Sequence, residues 1–342
     1  MIRKKLFMKK HRLLKSNLPP TRVKPVSLPE EFLISLGAFW NIPFKTVRPD
    51  ITIQGSPERS LWRVVMEDKK GQLFILEKLV PKTVGRKRQI ASTLHDLAGC
   101  GLSRIFPYLL SQHGEFIVGY KNGFWQLSRF HEGVALNRET YFCDSWRGER
   151  LADFLCELYT TSKKIPALER QDHFSLKDYM DKFKRDIQRC NPNLHAPLMK
   201  VWAFLQQGFF TAYDDIPETF CHGDYHPLNI IWSHQDIRCV IDWEFSGPKK
   251  ELYDIANLIG CVGMEHPNAL LGGLVHAFIR RLKSSNIFSE NSWRYLCDFV
   301  LALRFAWLAE WLRNRDDEMI VLEFDYMNLL ISNKTILQKT WL

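Results

Sequence analysis

The sequence predicts an α+β protein of two lobes: a small antiparallel sheet with one helix, then a larger, mainly helical lobe that carries a β-hairpin. Three observations support this. Short strand-like runs separated by Gly, Pro and Asn fill the chain up to residue 129. Apolar residues at helical spacing take over from residue 138. Inside that helical region Ile230-Ile231-Trp232 and Cys239-Val240-Ile241 flank the polar stretch Ser233 to Arg238, which reads as a hairpin. The expected organisation is a basic flexible tail over 1–27, a small lobe over 28–129 and a large lobe over 130–342.

Taken in order, Pro29 to Leu36 predicts a short helix. Ile51 to Ser56 and Leu61 to Met66 predict two strands joined by Pro57-Glu58-Arg59-Ser60, with Gly55 at the bend. Lys69-Lys70-Gly71 reads as a turn into a third strand over Gln72 to Val80. Arg86 to Leu97 carries Ile90, Leu94 and Leu97 at helical intervals and stops at Gly99-Cys100-Gly101. Phe116 to Tyr120 and Phe124 to Leu127 flank Lys121-Asn122-Gly123, a hairpin signal. Helices are then expected over Tyr141–Ser162, Leu176–Cys190, Pro197–Tyr213, Leu252–Val262, Ala269–Lys283, Ser292–Arg313 and Glu318–Ile331. No internal repeat or low-complexity region interrupts them.

Charge is distributed unevenly. Residues 1–24 hold nine Lys or Arg and no acid, while the remaining chain has 38 basic and 38 acidic residues, so the net +9 belongs to the tail. The high isoelectric point is therefore no argument for a nucleic-acid-binding fold. The tail reads as a solvated leader with a short basic helix around Leu6 to Leu14; loose contact with nucleic acid or an anionic surface is the sharper alternative. It lacks the apolar core of a secretory signal and has a single serine, so targeting segments fit poorly, and Met8 is an alternative start. Eight scattered cysteines without a C-x-x-C pair fit reduced thiols in a cytoplasmic protein, with Cys221 packed rather than reactive. The longest apolar helix, Tyr295 to Leu312, is broken by Asp298, Arg304 and Glu310, so no transmembrane segment is expected.

The chemistry concentrates in His222-Gly223-Asp224-Tyr225-His226-Pro227-Leu228-Asn229 and in Val240-Ile241-Asp242-Trp243-Glu244. Asn229 enters the first strand of the predicted hairpin and Asp242 leaves the second, so strand pairing brings them to one end. Asp224 lies in the preceding loop, which Pro227 keeps from becoming helix. A carboxylate for a hydroxyl proton and two oxygen ligands for a hard cation such as Mg²⁺ are the parts that phosphoryl transfer requires. The spacing H-x-D-x-x-x-x-N is that of the protein-kinase catalytic loop, with Gly in place of Arg.

These residues resemble the aminoglycoside phosphotransferase and choline/homoserine kinase superfamily, the phosphotransferase enzyme family, over 219–260 and, by element order, from about residue 28. The resemblance implies a protein-kinase-like fold that binds ATP and Mg²⁺. It assigns Asp224 to orienting and deprotonating the acceptor hydroxyl, and Asn229 and Asp242 to the metal. It implies a lobe connection over 126–129, with Gln126 and Ser128 beside the adenine, and a phosphate lysine on the third strand, for which Lys78 is the candidate. A one-residue slip would put Glu77 there instead. A solvent-facing Lys78 is the alternative, and Arg86, Lys87 and Arg88 are further cations; no acid precedes Asp96 on the helix to pair with the lysine. There is no Walker A or G-x-G-x-x-G sequence, so Gly55 and Ser56 stand as a covering loop or an ordinary turn. His222 is read as a buttress of the loop, and Asp254 as scaffold in the first turn of a helix.

The function expected is transfer of the γ-phosphoryl group of ATP to a hydroxyl of a small-molecule acceptor. If Glu310, Asp316-Asp317-Glu318, Glu323 and Asp325 line the cleft near Trp307 and Trp311, a cationic acceptor such as an amino sugar or amino alcohol is favoured; a hydroxy amino acid is a further option. The alternatives are a catalytically weak pseudokinase serving as a binding module, and a metallohydrolase using His222, Asp224 and His226 as ligands.

Overall fold

The computed structural model describes residues 28–53 and 55–342; the basic tail and its expected helix lie outside them. The chain opens with α1 (Glu30–Leu36), then β1 (Phe44–Val47), β2 (Ser60–Asp68), β3 (Leu73–Leu79), α2 (Val84–Gly99), β4 (Val118–Tyr120) and β5 (Gly123–Arg129). The five strands form one antiparallel sheet in the order β1-β2-β3-β5-β4. The described residues of the strand expected over Ile51–Ser56 form none, and the edge strand beside β2 is Phe44–Val47. Pro49 withholds a ladder N–H, and Asp50 turns back to pair with Arg48 at 2.6 Å, so the chain leaves the sheet there. Lys121 and Asn122 both take positive φ (45° and 57°), the twist-matched two-residue turn that joins β4 to β5.

Alternation along β3 and β5 gives the sheet two unlike faces. Phe74, Leu76, Trp125 and Leu127 bury one face beneath Leu33 and Leu36 of α1 and Trp40. Glu77 and Gln126, paired across the ladder, occupy the other. Ile90, Leu94 and Leu97 of α2 belong to the core of the large lobe rather than to that of the sheet.

The large lobe contains α3 (Ser145–Ser162), α4 (Leu176–Cys190), α5 (Pro192–Gln206), β6 (Glu218–Cys221), β7 (Ile230–Trp232), β8 (Ile237–Val240), β9 (Gly247–Lys250), α6 (Tyr253–Glu265), α7 (Gly273–Ser284), α8 (Leu296–Asn314) and α9 (Asp317–Trp341). β7 and β8 form the expected hairpin, while β6 and β9 form a ribbon that the sequence reading missed. α5 starts five residues earlier than expected and carries Pro197 inside it. α9 runs ten residues past Ile331, held where the pattern turns polar by Lys334 on Asp298 (2.6 and 2.9 Å) and by buried Leu337 and Trp341. Arg304 of α8 meets Glu323 of α9 through two bonds of 2.5 and 2.7 Å, both side chains fully buried. Among the described residues no helix is long and apolar enough to cross a membrane.

Close packing of α3 on α7 depends on Gly148, where a Cβ would stand 2.1 Å from the backbone oxygen of Leu274. Gly148→Ala is expected to lower stability by about 1–3 kcal/mol through overpacking. Urea unfolding should show a lower midpoint at an unchanged slope.

Candidate active site

The ribbon β6/β9 delivers the chain to His222 with Gly223 at φ +85°. A side chain there would meet the Phe245 carbonyl oxygen at 2.0 Å, so only glycine fits. The carboxylate of Asp254, in the first turn of α6, accepts hydrogen bonds from the backbone N–H of His222 (2.6 Å) and of Gly223 (2.8 Å). It is thus more than a dipole-favouring acid: it holds the loop itself. The His222 ring accepts from the Asp224 N–H at Nδ1 (3.2 Å) and donates from Nε2 to the Ile241 carbonyl (2.9 Å), linking the loop to the end of β8. Burial lowers its pKa, which keeps the imidazole in the neutral form those two bonds require.

Asp224 is thereby presented to the cleft. Asn229 Nδ2 donates to its backbone oxygen (2.9 Å) and to its Oδ2 (3.0 Å), while His226 Nε2 lies 3.6 Å from Oδ1. Burial pushes the Asp224 carboxyl up, but His226, His222 and Asn229 outweigh it and hold it below its ordinary value of 3.8. The group is an anion, with 23 % of its side chain exposed.

Pairing of Ile230 with Val240, extended by Ile241 N–H to the Asn229 oxygen (2.9 Å), places Asn229 beside the residue after Ile241. That residue, Asp242, adopts a left-handed backbone (φ 62°) and leaves 39 % of its side chain exposed. The Asn229 amide nitrogen is committed to Asp224, so Oδ1 is its outward end. Asn229 and Asp242 therefore offer two hard oxygen donors of the kind a Mg²⁺-sized cation takes while keeping several waters. The metallohydrolase alternative fails on geometry. His222 uses both ring nitrogens on the backbone, and His226 accepts from the Leu228 N–H at Nδ1 (3.3 Å) with Nε2 turned to Asp224. Among the described residues no three His, Cys, Asp or Glu are grouped as for a metal.

The phosphate side departs from expectation. Lys78 alternates onto the α1 face of the sheet, its ammonium 5.5 Å from the Trp125 ring, and so points away from Asp224. The slip anticipated from strand alternation is what occurs, and Glu77 takes the inward position, accepting from the Ser60 hydroxyl. A buried cation on α2 faces the segment after Asp242 instead. Buried Lys87 pairs with Glu244, two residues beyond Asp242. Burial would lower the Lys87 pKa, yet Tyr108, Glu77 and Glu244 around it hold it above its usual value. Arg86 caps the same segment, donating to the Glu244 oxygen (3.1 and 2.8 Å) and the Ser246 oxygen (2.6 Å). One signal was available: basic residues in the first turn of a helix oppose its dipole, so their placement answers to another contact.

Gly55 and Ser56 lead into a turn in which the Ser56 oxygen accepts from the N–H of Arg59 (3.0 Å) and Ser60 (2.9 Å). From that turn Arg59 reaches Asp242 at 2.9 Å, and Glu58 reaches Arg313 of α8 at 2.9 Å, which sets the turn over the Asp242 end of the hairpin. The lobe connection begins later than 126–129. β5 continues through Ser128 and Arg129, paired with Ile75 and Phe74, and Phe130 N–H still bonds the Leu73 oxygen (2.9 Å), so Gln126 is a wholly buried strand residue and the crossing starts after Phe130. The segment is then tied to the hairpin by Val134 N–H to the Trp232 oxygen (2.8 Å). The acids near the end of the chain are mostly spoken for: Glu323 by Arg304, Glu310 by Arg313 (2.6 Å), and Asp316 as the cap of α9.

The sequence profile of the phosphotransferase enzyme family matches residues 67–286, well over half of the chain. The chain belongs to that family. As a member it is a small-molecule kinase. Its fold is similar to that of an aminoglycoside phosphotransferase from Alicyclobacillus acidocaldarius (13 % identity, TM-score 0.64, covering 94 % of this chain and 97 % of that one). It is also similar to an amicoumacin kinase solved with AMP-PNP, Ca²⁺ and its antibiotic (14 %, TM-score 0.65, 88 % and 93 %). An aminoglycoside 2'-phosphotransferase-IIIa solved with GDP is a third (18 %, TM-score 0.60, 84 % and 95 %). No curated protein sequence matches this chain.

Asp254→Ala strands two buried N–H donors, each costing about 1–3 kcal/mol. A lower urea midpoint is expected, together with faster hydrogen exchange at the His222 and Gly223 amides than at those of β3.

Proposed function

We propose that this kinase moves the γ-phosphoryl group of ATP, with Mg²⁺, to a hydroxyl of a small-molecule acceptor. The observation that carries the reading is the Asp224 carboxylate, held by Asn229 Nδ2 at 3.0 Å, with a second bond of 2.9 Å to the Asp224 backbone oxygen, at the same end of the hairpin as Asp242. Asp224 accepts the acceptor's O–H, aligns its oxygen with the γ-phosphorus and takes the proton as the new P–O bond forms and the bond to ADP breaks. Asn229 Oδ1 and Asp242 are the residues that would hold Mg²⁺, whose chemistry is neutralisation of phosphate charge. Asp254 and His222 keep the Asp224 backbone in register.

For the acceptor we propose an amino sugar, amino alcohol or hydroxy amino acid type. The relatives named above are an amicoumacin kinase and two aminoglycoside phosphotransferases. Here, however, Glu310 and Glu323 are already paired with arginines, which favours an acceptor of modest charge over a polycation. Trp307, whose ring is 6.5 Å from that of His226, offers an apolar face next to Asp224. The eight free cysteines support a cytoplasmic setting. A weakly catalytic binding module is the second reading, favoured by Glu77 standing where a phosphate lysine is expected.

A panel of amino sugars, amino alcohols, hydroxy amino acids and sugars, assayed for ATP consumption, should give turnover on one class. Asp224→Asn should lower kcat by roughly 10²–10⁴-fold while leaving nucleotide affinity in place. Nucleotide binding without turnover on any acceptor would select the second reading. An Asp224→Asn variant as active as the parent defeats the assignment of the base.

A further inference from the structure

We infer that Arg59 is the residue that grips the nucleotide's phosphates, and that its ion pair with Asp242 is the resting position it leaves when metal and nucleotide arrive. The inference rests on the phosphotransfer reading above and names a contact which that reading lacks.

The cleft needs a cation for the phosphate chain, and the inward position of β3 is an acid, Glu77. The neighbouring cations differ in how firmly they are held. Lys78 lies on the far face of the sheet. Lys87 is buried on Glu244. Arg86 spends its guanidinium on the carbonyl oxygens of Glu244 and Ser246, and buried Lys249 donates to the Phe245 oxygen at 2.6 Å. Lys87, Arg86 and Lys249 hold the backbone or side chains of the segment from Glu244 to Ser246 in place, and moving them would disturb it. Arg59 differs, because its partner is the Asp242 carboxylate itself, at 2.9 Å, in a pair left 25 % and 39 % exposed.

That partner is also the anion a divalent ion would take. Two cations cannot share it at full strength, and the incoming phosphates bring negative charge to the same spot. The exchange is balanced: the Arg59–Asp242 pair is replaced by a metal–Asp242 contact and an Arg59–phosphate contact. A guanidinium fork suits phosphate oxygens in bidentate fashion. The base of the side chain does not have to travel. The Arg59 backbone oxygen accepts from Val80 N–H (2.9 Å), its N–H bonds Ser56 (3.0 Å), and its guanidinium lies 5.4 Å from the Phe245 ring, on which it can pivot. Glu58, its neighbour, is tied to Arg313 of α8, so the turn stays over the site while the arginine swings.

The test is a pair of binding measurements on the full chain and on Arg59→Gln and Arg59→Lys. One follows Mn²⁺ alone by its electron paramagnetic resonance signal; the other follows a fluorescent ATP analogue in the presence of Mg²⁺. Arg59→Gln should bind Mn²⁺ alone more tightly than the parent, because the competing cation is gone. It should bind the nucleotide about tenfold or more weakly, the scale of one charge-assisted hydrogen bond. Arg59→Lys should fall between the parent and Arg59→Gln in both assays. Opposite signs in the two assays are what a merely structural arginine cannot produce. If both affinities stay unchanged, or fall together, the inference is overturned while the function stands. If the parent itself binds no nucleotide with Mg²⁺, both the inference and the reading beneath it are lost.

Discussion

The buried carboxylate of Asp254 is the constraint on which the site depends. An ion without water is costly to bury unless its oxygens are hydrogen-bonded. Here the two backbone N–H groups of His222 and Gly223 satisfy it. The consequence is mutual. α6 gains an anion at its positive end, and a loop that would otherwise be free acquires two fixed points immediately before Asp224. Gly223, wedged against the Phe245 oxygen, and the His222 ring, bridging to Ile241, then tie that loop to the segment bearing Asp242. The groups that meet a substrate are few, but the ones that aim them reach across four separate stretches of chain.

Much of this was legible in the residues, for identifiable reasons. The stretch from His222 to Asp242 revealed itself because its loop and hairpin are short-range: Asn229 and Asp242 meet by simple strand pairing, which sequence spacing encodes. Leu176–Cys190 matched its helix end to end because Ser175 caps it and its apolar stripe is uninterrupted. The misses have physical causes too. Ile51–Ile53 alternates like a strand, but Pro49 and the Arg48–Asp50 pair had already turned the chain out of the ladder. β6 and β9 pair across a long loop, and neither carries enough alternation to announce itself. The polar end of α9 hid a helix that tertiary contacts at Lys334, Leu337 and Trp341 complete. On β3 the choice between Lys78 and Glu77 turned on one residue of register, which only the packed face of Phe74 and Leu76 decides.

The charge arrangement around the stretch from Asp242 to Ser246 shows the same division. The sequence offered no acid before Asp96 on the helix to pair with a strand lysine, and the structure has an acid on β3 with cations on α2 instead. Each of those cations contacts the stretch from Asp242 to Ser246, either at a side chain or at a carbonyl oxygen. No spacing rule reveals that Lys87 and Glu244 meet, because they are separated by most of the fold.

The seating of α2 determines how such a molecule can breathe. Since Ile90, Leu94 and Leu97 are embedded in the large-lobe core and Arg86 is fastened to Glu244 and Ser246, that helix travels with the catalytic body. The sheet and α1 join that body through three stretches of chain, Val80–Thr83, residues 100–117 and the residues after Phe130, so an opening that admits a nucleotide would hinge there. Opening there would part the Arg59–Asp242 and Glu58–Arg313 pairs while Asp224, Asn229 and the cations of α2 stay on one body.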